Sequence, residues 1–294
     1  MEEREISIID IVEVFLSKKL LIISITSFVA VVSIIIVLFI DNIYKSETTL
    51  SPVDSSNKSL ANSSLGGIAS MAGINLGSGS SDKVEVSIEF LKSRKFHNHL
   101  LSFPGVLPKL MASKSFDRKK GILIFNSDIY ISSTNSWLDK KKPSALKAHQ
   151  VILNQLKVSK NPDTGIVRIS FQHISPVFAK EFLDLVLREF NTLSAAKDLD
   201  EIKKSLLYLN KKYAQSDFIE IKSSINKIIE QQMKNQMLIK SREYYIFDII
   251  DPPFTPEEKF EPNRSQIVIF MTLFGAFSSL LFVLIHFIYS EEKR

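Results

Sequence analysis

The chain has 294 residues, 45% of them hydrophobic, with 37 Lys and Arg against 32 Asp and Glu and no cysteine. The lack of cysteine excludes disulfides, thiolate catalysis and cysteine-ligated metal sites, so the fold must be stabilised by its core and its assembly. The formal charge of +5 is set among nearly as many acids, which reads as a solvated surface and gives no expectation of nucleic acid as a partner.

The first element in chain order is the apolar run Leu20 to Ile40, and a second such run, Ile267 to Tyr289, lies near the other end. Each has about 20 residues without Asp, Glu, Lys or Arg, enough at roughly 1.5 Å per helical residue to cross a hydrocarbon core of about 30 Å. Both are expected to be membrane-spanning helices. A cleaved signal peptide does not suit the first, because the run is too long and continues into Asp41-Asn42-Ile43-Tyr44 instead of a small-x-small cleavage site. Lys18 and Lys19 flank the first span and Lys293 and Arg294 follow the second, so the positive-inside rule places both termini in the cytoplasm. His286 is a few residues from the cytoplasmic end of the second span and is expected at the interface.

The resulting organisation is a cytoplasmic N-terminus over residues 1–19, a span over 20–40, an external domain over 41–266, a span over 267–289 and a cytoplasmic tail over 290–294. Tyr44 to Pro52 is rich in strand formers and predicts a first strand rising directly from the membrane. Asn57 to Ser81 holds five of the nine glycines; no Lys-Ser or Lys-Thr follows them, so it reads as a partner-contacting loop and not as a phosphate cradle. Ser81 and Asp82 predict the cap of a helix running to about Leu101, with His97 and His99 on different faces. His149 and His173 stand isolated in the sequence, and Trp137 is expected to anchor a loop onto the core.

Pro143 predicts another helix to about Leu156. Lys157 to Ser159 and Val167 to Phe171 flank Asn161-Pro162-Asp163-Thr164-Gly165, a hairpin signal. Pro176 to Asp251 contains no glycine and no further proline, and apolar residues recur at three- and four-residue steps on both sides of Gln215-Ser216-Asp217. This predicts two long helices over about 176–241. The first would be about 58 Å long if it runs unbroken to Ala214. Its stripe Ile202, Leu206, Leu209 and Tyr213 needs a partner, either a neighbouring copy of the chain or the chain itself. Tyr244 to Ile250 predicts a strand returning toward the membrane. The proline-rich segment over 252–262, with Pro252, Pro253, Pro256 and Pro262, is expected to be a stiff strut setting the angle between external domain and second span. Arg264 beyond it is expected to be an interfacial anchor, with lipid phosphate or a partner protein as the other candidate ligands.

Taken together, these residues resemble the polysaccharide co-polymerase family, the Wzz-like chain-length determinant proteins. The resemblance runs through Ile9-Asp10-Ile11, Tyr44-Lys45-Ser46 and Ser51-Pro52, Leu65 to Ile74, Phe90-Leu91-Lys92-Ser93-Arg94, Thr164-Gly165-Ile166-Val167, Ser175-Pro176, and Pro253, Pro256 and Pro262. It implies an α+β periplasmic domain with long projecting helices, flanked by two transmembrane helices of the inner membrane. It further implies a homo-oligomer without catalytic activity or cofactor that sets O-antigen length together with the inner-membrane O-antigen polymerase, with lipid-linked polysaccharide and membrane lipid as further partners. The chain departs from the pattern in having one glycine, Gly275, in the second span; Gly275 stays a candidate motif residue, and whether it mediates helix packing is left open by the sequence.

Three other functions compete with this reading. A capsule or exopolysaccharide co-polymerase would work with a cytoplasmic tyrosine kinase, which would be a separate chain because no Gly-x-x-x-x-Gly-Lys-Ser/Thr sequence and no tyrosine cluster occurs here. A membrane-anchored periplasmic sensor would need a partner or a cytoplasmic output domain, and the tail Ser290 to Arg294 is too short to supply the domain. A glycosidase would need a positioned carboxylate pair, and no pair stands out.

Overall fold

The computed structural model describes residues 14–53, 80–138 and 141–292. Residues 57–79 of the glycine-rich segment, the Ile9-Asp10-Ile11 approach, Lys140 and the terminal Lys293-Arg294 pair lie outside the described residues. The chain divides into two compact units, one of residues 1–43 with 259–294 and the other Tyr44–Glu258.

The first unit holds helix α1, Lys19–Leu38, and helix α8, Arg264–Glu292, packed on each other. Both are long and apolar enough to cross a membrane, and only 11% and 17% of their apolar windows are buried. A core helix of a soluble domain would instead be covered on most sides. The second helix begins three residues before the predicted span and continues past Tyr289.

The larger unit is built on a four-stranded antiparallel sheet in the order β6-β7-β1-β8, with β1 at Tyr44–Pro52, β6 at Leu156–Lys160, β7 at Val167–His173 and β8 at Phe247–Asp251. β1 has the predicted bounds, and alternate residues from Tyr44 to Leu50 are buried. The β6-β7 hairpin also follows the sequence reading. Asn161 Oδ1 accepts from the Asp163 and Thr164 amides, and Gly165 takes the positive φ of 71° that the turn needs.

The helix predicted from Lys83 to Leu101 is instead two, α2 at Ser80–Lys92 and α3 at Arg94–Leu101. Ser93 breaks it: its backbone is extended and its hydroxyl accepts from the Phe96 amide, which starts a new helix. A short α4, Val106–Met111, follows Gly105, and two small hairpins come next: β2 (Ser113–Asp117) with β3 (Ile122–Phe125), and β4 (Tyr130–Ile131) with β5 (Ser136–Trp137). Trp137 packs edge-on against the buried Tyr130, as a loop anchor. Helix α5, Ala145–Gln155, starts two residues later than Pro143 suggests, because Ser144 is its cap.

Helix α6 spans Pro176–Gln215, 40 residues and about 60 Å. Ser175 caps it and Pro176 occupies the first turn, where a missing amide is harmless. Its first half lies on the sheet: Phe178, Ala179, Phe182, Leu183, Val186 and Phe190 join the main core, and Phe171 and Phe182 meet at 4.3 Å between ring centroids. Beyond Ser194 only Ile202 and Leu209 are buried. There the partner is α7, Ile219–Ser241, which folds back after a three-residue turn and closes a second small core of Leu209, Ile225 and Ile228.

Candidate functional site

The residues singled out by sequence fall into four places. The proline segment belongs to both units. Within the larger unit Pro253 and Pro256 are buried, whereas Pro252 is exposed. The inward face of β1 carries hydroxyls here: Ser46 Oγ donates to the Phe254 carbonyl and Thr48 Oγ1 to the Asp251 carbonyl, both at 2.7 Å. A segment lacking the amides for a sheet ladder is thereby held on β1 by side chains. Arg118 Nη2 also donates to the Glu257 carbonyl at 2.7 Å. In the smaller unit the Ile43 amide donates to Glu261 and the Phe260 amide to Ile43, while Pro262 is half-buried.

Arg264 opens α8 and donates from Nη2 to the Ile40 carbonyl at 3.4 Å and to Asn42 Oδ1 at 3.2 Å. It therefore ties the start of one apolar helix to the end of the other. Gly275, whose role in helix packing the sequence left open, faces α1. A Cβ there would lie 2.8 Å from Val29 Cβ and Cγ1, so the absence of a side chain is what lets α8 approach α1. Ser33 and Ser279 are buried as well, each bonded within its own helix to a carbonyl three residues back.

Of the stripe on α6, Ile202 and Leu209 are buried inside the chain, Leu206 is half-buried and Tyr213 is 37% exposed. The intramolecular partner α7 thus takes the centre of that stripe. The apolar residues left open on the helical hairpin are different ones, among them Leu207, Phe218, Ile219 and Met237.

The histidines form contacts that spacing could not reveal. His97 and His149, 52 residues apart, meet at 2.7 Å between their Nδ1 atoms, and His97 Nε2 lies 2.8 Å from the Leu91 carbonyl. A carbonyl only accepts, so His97 carries its hydrogen on Nε2 and its Nδ1 accepts from His149. Burial, reinforced by His149, lowers the His97 pKa to about 4. Burial likewise lowers that of His173 to about 4; its Nε2 donates to the Lys109 carbonyl and its Nδ1 accepts from the Ser175 amide. His99 pairs with Glu189 at 2.8 Å; burial alone would raise the Glu189 carboxyl, but His99 and Arg188 outweigh it and hold it low. Tyr245 donates to Asp198 at 2.7 Å, and burial together with that carboxylate pushes its phenol up.

These groups are structural ties between elements. Among the described residues no three His, Asp or Glu side chains are grouped to hold a metal. A cleft lined by Leu50, Leu187, Phe190, Asn191, Tyr244, Phe247 and Ile249 has about 10 Å³ of free space, room for about one water. Its Asn191 amide is used internally, donating to Glu243 and accepting from Tyr245.

Residues 4–102 match the family model "Chain length determinant protein", Wzz. Over these 99 of its 294 residues the chain is similar to that family. The match takes in α1, β1, α2 and α3, so the matched region contains the first apolar helix and one of the two inner strands of the sheet. No curated protein matches the sequence. Solved structures similar to this chain include a full-length bacterial polysaccharide co-polymerase, 13% identical with a TM-score of 0.42, covering 97% of this chain and 99% of that one. Another is a fragment of the polysaccharide co-polymerase WzzB from Salmonella Typhimurium, 13% identical with a TM-score of 0.30, covering 75% of this chain and all of that one.

Proposed function

We propose that this protein regulates the chain length of lipopolysaccharide O-antigen, with no catalysis of its own, as a homo-oligomer in the bacterial inner membrane acting with the O-antigen polymerase. The match of residues 4–102 to the chain length determinant family carries the reading. Two apolar helices, α1 and α8, are its membrane anchors, with both termini in the cytoplasm and the sheet unit in the periplasm. The α6-α7 hairpin supports the oligomer: Leu207, Phe218, Ile219 and Met237, each more than 60% exposed, form apolar surface for neighbouring copies to cover. Lipid-linked polysaccharide and membrane lipid complete the set of partners. The test is deletion and restoration of the gene in its own host, followed by electrophoresis of the lipopolysaccharide. Loss of a preferred length with polymerisation continuing, and its return on restoration, is the expected result. An unchanged ladder refutes the proposal and makes capsule the next polymer to size.

A further inference from the structure

The charge on this chain is segregated, contrary to the reading of an evenly solvated surface. Between Glu89 and Glu181 there are sixteen Lys and Arg, four Asp and no Glu. Within that stretch the β2-β3 hairpin has two unusual features. Its second strand, Ile122-Leu123-Ile124-Phe125, is apolar on both faces, and Ile122 and Ile124 lie on the outer face at 56% and 46% exposure. A two-stranded hairpin in water normally places polar residues there. Its turn is the cationic triplet Arg118, Lys119 and Lys120, all exposed. Asp117, the nearest acid in sequence, is occupied by the turn itself, accepting from the Lys119 and Lys120 amides. Among the described residues no acidic partner is recorded for the side chains of Lys119 and Lys120.

The chain also tethers this hairpin. Arg118 is bonded to the Glu257 carbonyl, and Glu257 precedes Arg264, the first residue of α8, by seven residues. Seven extended residues reach at most about 25 Å, so a membrane crossed by α8 is within reach of the hairpin. Exposed isoleucines beside a lysine-rich turn are the combination that enters a headgroup layer, apolar side chains at the acyl boundary and cations on phosphates.

We propose that the β2-β3 hairpin is an interfacial foot, with Ile122 and Ile124 entering the headgroup layer of the membrane that α1 and α8 cross, and with Arg118, Lys119 and Lys120 on anionic lipid phosphates. The inference rests on α1 and α8 being membrane spans. The lack of native cysteine allows single-cysteine labelling of the full chain in vesicles of phosphatidylcholine with or without phosphatidylglycerol. An environment-sensitive dye is placed at Ile122→Cys, at Ile219→Cys on the helical hairpin, and at Val31→Cys within α1; lipid-borne quenchers read their depth.

The dye at 122 is expected to be quenched in the anionic vesicles, and that at 219 not. Lys119→Glu with Lys120→Glu lowers the docked-to-undocked ratio at 122 by roughly tenfold. A dye at 122 that stays solvent-like in both vesicles while that at 31 is quenched overturns the foot and leaves the spans intact. An unquenched dye at 31 overturns the spans and the foot with them. A blue shift at 122 without lipid quenching also overturns the foot, and assigns the surface to another copy of the chain or to a soluble acidic polymer.

Discussion

The most sensitive residues are the two buried imidazoles. His97 and His173 are held neutral with pKa values near 4, against 6.5 for an exposed histidine. Between those values the unfolded chain binds protons that the folded chain refuses, so stability is full above pH 6.5 and falls as the pH drops toward 4. The loss is on the order of 3 kcal/mol for each histidine. Urea unfolding of the detergent-solubilised protein across this range should show the slope, and His97→Gln should reduce it; a flat profile would contradict the buried neutral pair. Gly275→Val is expected to force α8 away from Val29, and Val29→Ala should restore the approach. Amide exchange in nanodiscs would show protection of α1 and α8 falling in the single variant and recovering in the double. Neither the His97-His149 pair nor the Gly275 contact was legible in the sequence. The first joins helices 52 residues apart, and the second depends on which of two apolar helix faces meet.

At the scale of elements, periodicity was a good guide wherever one face of an element had a single environment. β1, the β6-β7 hairpin and the two long helices follow their sequence patterns because alternation or a three-to-four repeat is imposed by one buried side. The α2-α3 break was missed because Ser93 is neutral by composition, and only its extended backbone and capping bond interrupt the helix. The outer half of α6 is where packing is thinnest. Leu209→Ala should cost about 2–4 kcal/mol locally, seen as faster amide exchange in α7 and in α6 beyond Ser194 while the sheet keeps its protection. Leu207→Ala, at a side chain 64% exposed, should change exchange little. Pro253→Ala with Pro256→Ala releases a segment that hydroxyls on β1 hold. The account predicts altered polymer length at normal protein level, and unchanged banding would count against the strut.

For the whole molecule, the two apolar runs were legible from composition and length, whereas the α+β character of the long region between them came from periodicity and from the family resemblance. The charge segregation was present in the sequence too, but a chain-wide total hides it. It acquires meaning only when the cationic turn is found bonded to the segment leading into α8. The division of labour proposed is that α1 and α8 hold the protein in the membrane, the sheet carries the core, and the α6-α7 hairpin presents surface to other copies. The most direct test of a length-setting role is to express this chain in a host that lacks its own chain-length regulator but keeps its polymerase. The account predicts that the unregulated ladder gives way to one narrow modal length; an unregulated ladder with the protein present at normal level in the membrane would contradict it.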